Sequence, residues 1–198
     1  MGYAACQKAL TENQPLSGSV GAGTGATVGK LCGMMQSQKG GIGYHAVQVG
    51  DLKLGAVVVV NALGDIYAGE HKIAGLMNES RTGFCDSVAQ LYRSTAPKDL
   101  FTRTNTTIGA ILTNGNFSKA QLTRIAEQAR NGYARSIRPV GTLADGDTIY
   151  ASACGHLVEA DINMVGTLAA EVMAKAIENA IRAAKINDAD YLPYCLPR

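Results

Sequence analysis

The sequence predicts an α+β sandwich in a single domain, built mainly from antiparallel strands with helices on both outer faces. A hairpin pattern fills the first half of the chain, and strand and helix patterns alternate in the second half. Hydrophobic residues make up 46% of the 198 positions, enough to bury one sizeable core. The predicted helices are long enough to cover a sheet, which is why we expect helical outer layers.

The first half contains a short helix, a loop and a hairpin. Residues 2–10 are compatible with a short helix, and the Gly/Ser-rich stretch 15–25 is a loop. Segments 43–49 and 52–61 are both rich in β-forming residues, and only two residues separate them. That spacing predicts a tight hairpin and therefore antiparallel strands. Residues 64–83 have the pattern of a loop with short strand fragments.

The second half begins with a polar, proline-containing connector at 95–105, followed by a short apolar run at 108–113 that predicts a buried strand. Ser118 then opens a helix with Gln121 three residues later, the spacing of a capping box. Pro139 is expected to end this helix. Its apolar face carries Leu122, Ile125, Ala126, Ala129 and Tyr133.

Another strand and a long helix complete the predicted elements. The strand covers 148–154, and an Ala-rich helix runs from about 163 to 185. The tail from Tyr191, interrupted by Pro193 and Pro197, is expected to be irregular. The long helix has an apolar stripe formed by Met164, Leu168, Val172, Ala176 and Ile177.

The charge balance argues against two classes of partner. Lys plus Arg total 18 and Asp plus Glu total 16, and neither sign is gathered into a block. A nucleic acid or an anionic membrane would require a concentrated basic surface. We therefore expect neither as a partner.

Cysteine usage predicts a reducing, cytoplasmic setting. The 5 cysteines are odd in number and widely scattered, and no CxxC pair suggests zinc. The amino terminus lacks a basic stretch followed by an apolar run, and no uncharged apolar segment approaches ~20 residues. Secretion and membrane insertion are therefore not expected. The cysteines are Cys6, Cys32, Cys85, Cys154 and Cys195.

Neither a nucleotide cofactor nor a metal is predicted. The GAGTGA stretch at 21–26 superficially fits a dinucleotide fingerprint, but it has no clear strand before it and no acidic residue in a ribose-binding position. A loop packed closely against a neighbour explains its glycines better. The histidines His45, His71 and His156 lie far apart and have no ligand partners at metal-binding spacing, so we interpret them as structural or solvent-facing.

Two polar motifs precede predicted strands. Thr106 and Thr107 follow the polar connector at the start of a buried strand, where a side chain is held rigidly. Asp145-Gly146-Asp147 directly precedes the strand at 148–154. Each motif alone is compatible with an ordinary strand start or surface turn. Together they bring hydroxyls and carboxylates to strand edges, where they could share one pocket.

The order of motifs resembles a known enzyme family. GAGTGA is followed by KGGIG at 39–43, a strand ending in Asn61, TNTTIGAILTN at 104–114 with a capped helix, and DGDTIYASACG at 145–155. This series, over about residues 10–185, resembles the L-aminopeptidase/D-esterase and β-aminopeptidase family, which includes nylon-oligomer hydrolases and is related in fold to ornithine acetyltransferase. The resemblance implies a layered α/β/β/α sandwich.

The resemblance also implies an activation step. In that family the precursor cuts itself before a Ser or Thr, which becomes the new amino terminus and the nucleophile. The matching bond here joins Asn105 to Thr106, and cleavage would divide the chain into 1–105 and 106–198. Asp145 and Asp147 match two aspartates of the nylon-hydrolase branch, where β-aminopeptidases carry Ser and Glu.

Two further positions match family residues near the reacting group. Asn61 matches an asparagine whose side-chain amide contributes to the oxyanion hole, and Lys39 matches a lysine close to the site. Asn114 stands where the family usually has Asp. Thr107 remains a second candidate nucleophile, because adjacent hydroxyls are distinguished only by geometry.

The chemistry of these groups suits acyl transfer. An α-amine titrates near ~8, so the amine freed at Thr106 could take the proton from its own hydroxyl. Before cutting, the same hydroxyl could attack the carbonyl of Asn105, with Asp145 and Asp147 assisting proton transfer. The implied reaction is hydrolysis of small amides, short peptides or ω-amino-acid oligomers through an acyl-Thr106 ester, without cofactor or metal.

Three further expectations follow from the resemblance. Family members carry an additional amino-terminal region before the glycine-rich loop, so this chain is either a fragment or a shortened member. Family members commonly form tetramers, so we expect a homo-oligomer. Two alternatives to the amidohydrolase stay open: an acyltransferase resembling ornithine acetyltransferase, and an unprocessed, non-catalytic homologue.

Overall fold

The computed structural model describes residues 2–12, 14–93, 95–96 and 105–196. Its helices are α1 (Gly2–Thr11), α2 (Ser87–Leu91), α3 (Lys119–Ser136), α4 (Ile162–Ala183) and α5 (Asp188–Tyr191). Its strands are β1 (Thr27–Val28), β2 (Gln38–Lys39), β3 (Gly41–Val49), β4 (Leu52–Val60), β5 (Asp65–Ala68), β6 (His71–Ala74), β7 (Ile108–Gly115), β8 (Ile137–Arg138) and β9 (Thr148–Val158). Short 3₁₀ turns occupy Gly21–Gly23, Met34–Gln36 and Leu192–Tyr194. Most of the predicted connector, residues 97–104, lies outside the described residues.

The main sheet has four strands in the order β3–β4–β7–β9. The predicted hairpin is confirmed: β3 and β4 pair antiparallel, with Val49 opposite Leu52. Gly50 occupies the turn with a φ of 58°, a left-handed conformation that glycine adopts without steric cost. β4 also pairs antiparallel with β7, whereas β7 and β9 run parallel. This last pair aligns the starts of both strands at one edge of the sheet.

One face of the main sheet is buried beneath α3 and α4. Along β4, buried and less buried side chains alternate as a strand's two-residue period requires. The two helices pack against each other, α4 crosses β3 and β4, and α3 lies over β9. Gly43 permits β3 and α4 to approach each other closely, because a Cβ there would lie 2.3 Å from the backbone nitrogen of Ala180. The core under the helices includes Leu54, Val58, Ile111, Ile125, Tyr133, Met173 and Ile177.

Within the described residues, the opposite face of the main sheet lies open. Ile108 is 48% exposed and Leu112 is 47% exposed, and neighbouring Tyr44 and Tyr150 are exposed as well. The predicted α+β class with mainly antiparallel sheets is confirmed. Both long helices cover the same face, so they do not supply the second outer helical layer that we expected.

Helix boundaries follow local signals with one tertiary exception. Ser118 forms the predicted capping box with Gln121, and the Asp161 side chain caps α4 by accepting from the Met164 N–H at 2.8 Å. α3 ends at Ser136, before Pro139, because the next two residues form β8 and pair with β5.

A three-stranded antiparallel sheet, β6–β5–β8, organises the segment predicted as loop with strand fragments. Asp65 is fully buried at its centre. Its carboxylate accepts from the Leu76 N–H at 2.8 Å and from the Ser87 hydroxyl at 2.8 Å, and pairs with Lys72 at 2.8 Å. A buried charge is tolerated when it is paired and hydrogen-bonded in this way. β1 and β2 form a separate small pair beside the glycine-rich loop.

Candidate active site

Thr106 lies just before β7 and is held on both sides. Its backbone N–H donates to the backbone oxygen of Asn61 at 2.9 Å. Its hydroxyl donates to the carbonyl oxygen of Asn105, the preceding residue, at 2.6 Å. The hydroxyl therefore already contacts the carbonyl group that self-cleavage would require it to attack.

The Asp145–Asp147 turn meets Thr106 at the same sheet edge. Asn105 and Asp145 form a parallel β-bridge, and the Gly146 N–H donates to the Asn105 carbonyl at 2.8 Å. Asp147 Oδ1 accepts from the Thr107 N–H at 2.8 Å. The hydroxyl and the carboxylate motif, distant in sequence, thus converge on one site.

The strand order explains this convergence. Parallel strands start at the same edge of a sheet, so the residues before β7 and β9 become neighbours. Antiparallel strands place the end of one beside the start of the other. The β4–β7 register pairs Val59 with Ile108, and its continuation sets Asn61 opposite Thr106. Three predicted site segments therefore meet because of sheet topology.

The two carboxylates have different surroundings. Asp145 Oδ2 accepts from the N–H and the hydroxyl of Thr142, at 2.9 and 2.7 Å, which fixes the turn. Burial raises the pKa of Asp147, and the nearby Asp145 charge raises it further, partly offset by N–H groups of Thr107 and Gly141. Asp147 therefore holds its proton to a higher pH than an ordinary aspartate, which suits a group that exchanges protons.

Asn61 is oriented by donors from Thr27 and Lys30. Its Oδ1 accepts from the Thr27 N–H at 3.1 Å and from Lys30 Nζ at 2.8 Å. Because the oxygen end is fixed as an acceptor, the amide nitrogen is the end that can donate toward an oxyanion.

Lys30 is a site residue that the sequence analysis missed. It is only 3% exposed, and its ammonium contacts both the side chain and the backbone oxygen of Asn61. The sequence signal for Lys30 is its place inside the apolar segment TVGKL. A lysine in such a segment is expected to be buried, and a buried lysine needs a partner for its charge.

Lys39 binds backbone carbonyl groups beside the glycine-rich loop. Its ammonium donates to the carbonyl oxygens of Gly23, Ala26 and Gly40 at 2.8, 2.8 and 3.1 Å. Burial lowers its pKa. These bonds tie Lys39 to the glycine-rich loop. Among the described contacts it is Lys30, and not Lys39, that reaches Asn61 directly.

The two candidate nucleophiles are distinguished by their surroundings. Thr107 is fully buried, and its hydroxyl makes no hydrogen bond within the described part of the chain. Its backbone is anchored instead, with the carbonyl accepting from the Thr148 N–H at 3.1 Å. The geometry thus favours Thr106, whose hydroxyl contacts the Asn105 carbonyl.

Other site types find no support in the described residues. No cluster of three or more His, Cys, Asp or Glu side chains there could hold a metal ion. None of the helices in that part of the chain combines the length and apolar character needed to span a bilayer. His45 and His71 lie in β3 and β6, away from the site segments, and the His156 side chain is outside the described residues.

Comparisons with known proteins agree on one family. The family model described as peptidase family S58 matches residues 2–190. An uncharacterized aminopeptidase of Mycobacterium leprae is 34% identical over 93% of this chain, and a 6-aminohexanoate-oligomer endohydrolase of Kocuria sp. is 30% identical over 92%. The chain spans about half the length of these relatives, 55% of each.

A solved structure shows the same fold. The L-aminopeptidase D-Ala-esterase/amidase of Ochrobactrum anthropi, described as a variant of the Ntn hydrolase fold, superposes with a TM-score of 0.59 at 22% identity. The match covers 90% of this chain and 49% of that protein. The expected fold relationship is thereby confirmed.

Proposed function

Because the chain belongs to peptidase family S58, we propose that it is a self-processing amidohydrolase whose nucleophile is Thr106. Cleavage of the bond after Asn105 would yield fragments 1–105 and 106–198. The observation that carries the proposal is the 2.6 Å contact between the Thr106 hydroxyl and the Asn105 carbonyl oxygen. This contact holds the nucleophile beside the carbonyl group that it attacks, and such positioning favours an intramolecular acyl transfer.

The roles of the neighbouring groups follow from their contacts. After cleavage, the free α-amine of Thr106 acts as the base for its own hydroxyl. The oriented amide of Asn61 donates to the oxyanion formed during acyl transfer, a contribution of about 3 kcal/mol for a single well-placed donor. Asp147, with its raised pKa, exchanges protons with the reacting groups. Lys30 keeps the Asn61 amide in its donating orientation.

The proposed substrates are small amides, short peptides or ω-amino-acid oligomers. Support comes from the family and from the relative described as a 6-aminohexanoate-oligomer endohydrolase. No cofactor is needed, because an acyl-Thr106 ester forms and hydrolyses with protein groups and water alone. Self-association, expected as a tetramer, belongs to the same proposal and can be measured by light scattering.

The first prediction tests the nucleophile. Purified wild-type protein should appear in intact mass spectrometry as two fragments, the second beginning at Thr106, whereas Thr106→Ala should remain one chain. The matched control is Thr107→Val, which removes a buried hydroxyl without a hydrogen bond and should leave cleavage unchanged. It should also raise stability by up to about 1 kcal/mol, because an unpaired buried hydroxyl is replaced by an apolar group of the same shape.

The outcomes separate the open alternatives. A wild-type chain that stays intact on long incubation and does not hydrolyse aminoacyl-anilides would favour the non-catalytic homologue. Cleavage that persists in Thr106→Ala but stops in Thr107→Val would transfer the nucleophile to Thr107. Faster acyl transfer to added ornithine than to water would favour the acyltransferase.

A further inference from the structure

The carbonyl of Asn105 is held by a donor that the proposed function does not yet use. Besides the Thr106 hydroxyl, the backbone N–H of Gly146 donates to this oxygen at 2.8 Å. Asn105 is only 2% exposed, so protein groups rather than bulk water surround it. The carbonyl that would be attacked during self-cleavage therefore faces a fixed N–H dipole.

We infer that the Gly146 N–H is the oxyanion donor of the self-cleavage step. This inference rests on the proposed self-processing of the Asn105–Thr106 bond. It assigns the first acyl transfer a donor different from Asn61, whose amide serves the later hydrolysis of substrates. A preorganised N–H aimed at developing negative charge stabilises the transition state without reorganisation at the moment of reaction.

The step balances as an N-to-O acyl shift. Thr106 Oγ1 bonds to the Asn105 carbonyl carbon, and the carbonyl oxygen becomes an oxyanion that accepts from the Gly146 N–H. The C–N bond then breaks, and the proton lost by the hydroxyl reaches the Thr106 nitrogen, which leaves as an amine. Water hydrolyses the resulting ester, giving a carboxylate on Asn105 and a free Thr106.

The two ends of the scissile bond are held from opposite sides. Gly146, just before β9, donates its N–H to the carbonyl oxygen, and the backbone oxygen of Asn61, after β4, accepts the Thr106 N–H at 2.9 Å. The peptide group is thus fixed in the plane between two strands. The donor keeps its position because Asp145, its neighbour, is anchored by two bonds to Thr142.

The absence of a side chain at position 146 fits this role. A Cβ there would lie 2.7 Å from Thr106 Oγ1, closer than ordinary contact. Glycine lets the donor N–H and the nucleophilic hydroxyl share one carbonyl oxygen. This close approach, rather than an unusual turn conformation, accounts for the glycine between the two aspartates.

The test removes the N–H and keeps the side chains. Glycolic acid placed at position 146 by in vitro translation with an acylated suppressor tRNA replaces the amide N–H by an ester oxygen. The matched control is the corresponding hydroxy acid at Thr148, whose N–H donates to the Thr107 carbonyl at 3.1 Å. This bond joins the same two paired segments as the Gly146 bond, two residues further along each. Self-cleavage rates are followed by intact mass spectrometry, at a temperature where both esters retain the circular dichroism of the wild type.

The ester at 146 should slow cleavage about a hundredfold or more, the usual effect of losing one oxyanion donor. The ester at 148 should slow it far less. If the 146 ester cleaves at the wild-type rate, or if both esters slow cleavage equally, the Gly146 bond is only a structural bridge and the inference is overturned. A wild-type chain that never cleaves would instead refute self-processing itself, and the inference with it.

Discussion

Two lysines near the glycine-rich loop have different partners, and the difference can be measured. Lys30 Nζ donates to the Asn61 side-chain oxygen at 2.8 Å and orients the amide, whereas the Lys39 ammonium donates to three backbone carbonyl oxygens. The contacts make Lys30 the residue that acts on Asn61.

The corresponding prediction compares two equal substitutions. Lys30→Met should lower hydrolysis by roughly tenfold or more, because a misdirected Asn61 amide loses part of a contribution of about 3 kcal/mol. Lys39→Met should leave hydrolysis within about threefold but lower the free energy of unfolding by about 1–3 kcal/mol, because carbonyl groups lose their donor. Initial rates on an aminoacyl-anilide and urea unfolding supply the two readouts. Loss of hydrolysis confined to Lys39→Met would contradict this prediction and would instead support a direct role of Lys39 in the reaction.

Asp147 gives a prediction about pH. Its pKa is raised mainly by burial, so the folded chain binds this proton more tightly than the unfolded chain does. The resulting contribution to stability is complete below the unfolded carboxyl pKa of about 3.9 and is lost as pH rises through the higher folded pKa. Asp147→Asn cannot titrate, so its stability relative to the wild type should rise with pH in that window. Urea midpoints measured from pH 3.5 upward, at about half-unit steps, would contradict this if the difference stayed constant.

At the scale of elements, the contact between α4 and β3 depends on a missing side chain. A Cβ on Gly43 would lie 2.3 Å from the Ala180 nitrogen and 2.4 Å from the Ala176 oxygen, both backbone atoms of α4. Backbone atoms cannot rotate away as a flexible side chain can. The helix would have to shift as a unit.

Gly43→Ala should therefore destabilise the fold by about 1–3 kcal/mol, the usual cost of overpacking. Gly55→Ala on the neighbouring strand is the control, because its Cβ would meet only ordinary contacts, the nearest at 3.5 Å. That change should be neutral or slightly stabilising, since alanine restricts the unfolded chain. Chemical denaturation of both variants measures the difference. Equal costs would mean that the close approach of α4 to β3 is not tight.

Some features of the elements could be predicted from neighbouring residues, whereas others depend on pairing with distant segments. The hairpin and the Ser118 capping box were predictable, because each is encoded within a few consecutive residues. The end of α3 was not. Ile137 and Arg138 leave the helix to pair with β5, a partner some seventy positions earlier in the chain. No local pattern specifies such a pairing.

At the scale of the molecule, the part of the chain that the structure describes leaves one face of the main sheet covered and the other open. Ile111 points into the core beneath the helices and is fully buried, whereas its neighbour Leu112 points to the other side and is 47% exposed. The chain spans about half the length of its curated relatives. The difference in burial between the two faces of the sheet predicts a difference in stability, which can be tested at Ile111 and Leu112 of one strand.

Ile111→Ala should lower the free energy of unfolding by about 2–5 kcal/mol, because it leaves a cavity in a packed core. Leu112→Ala should cost less than about 1 kcal/mol in the isolated chain, because that side chain is already in contact with water. Urea denaturation at low protein concentration gives both values. A large cost for Leu112→Ala at that concentration would show that the apparently open face is covered.

The sequence by itself determined the fold class, the hairpin, the Ser118 capping box and the order of motifs that carry the family. It also indicated Thr106, Asp145, Asp147 and Asn61, through the resemblance of the ordered motifs to the family. Each of these signals is local. A two-residue period, a capping spacing or a short motif can be recognised without knowing how the rest of the chain folds.

Only the tertiary structure decided how those segments meet. It brought Lys30 to Asn61, set the Gly146 N–H against the Asn105 carbonyl and, among the described residues, left one face of the main sheet uncovered. These features depend on strand order and register between distant segments, and register is fixed by the packing of whole elements. A hydrogen bond across strands exists only once that packing is in place.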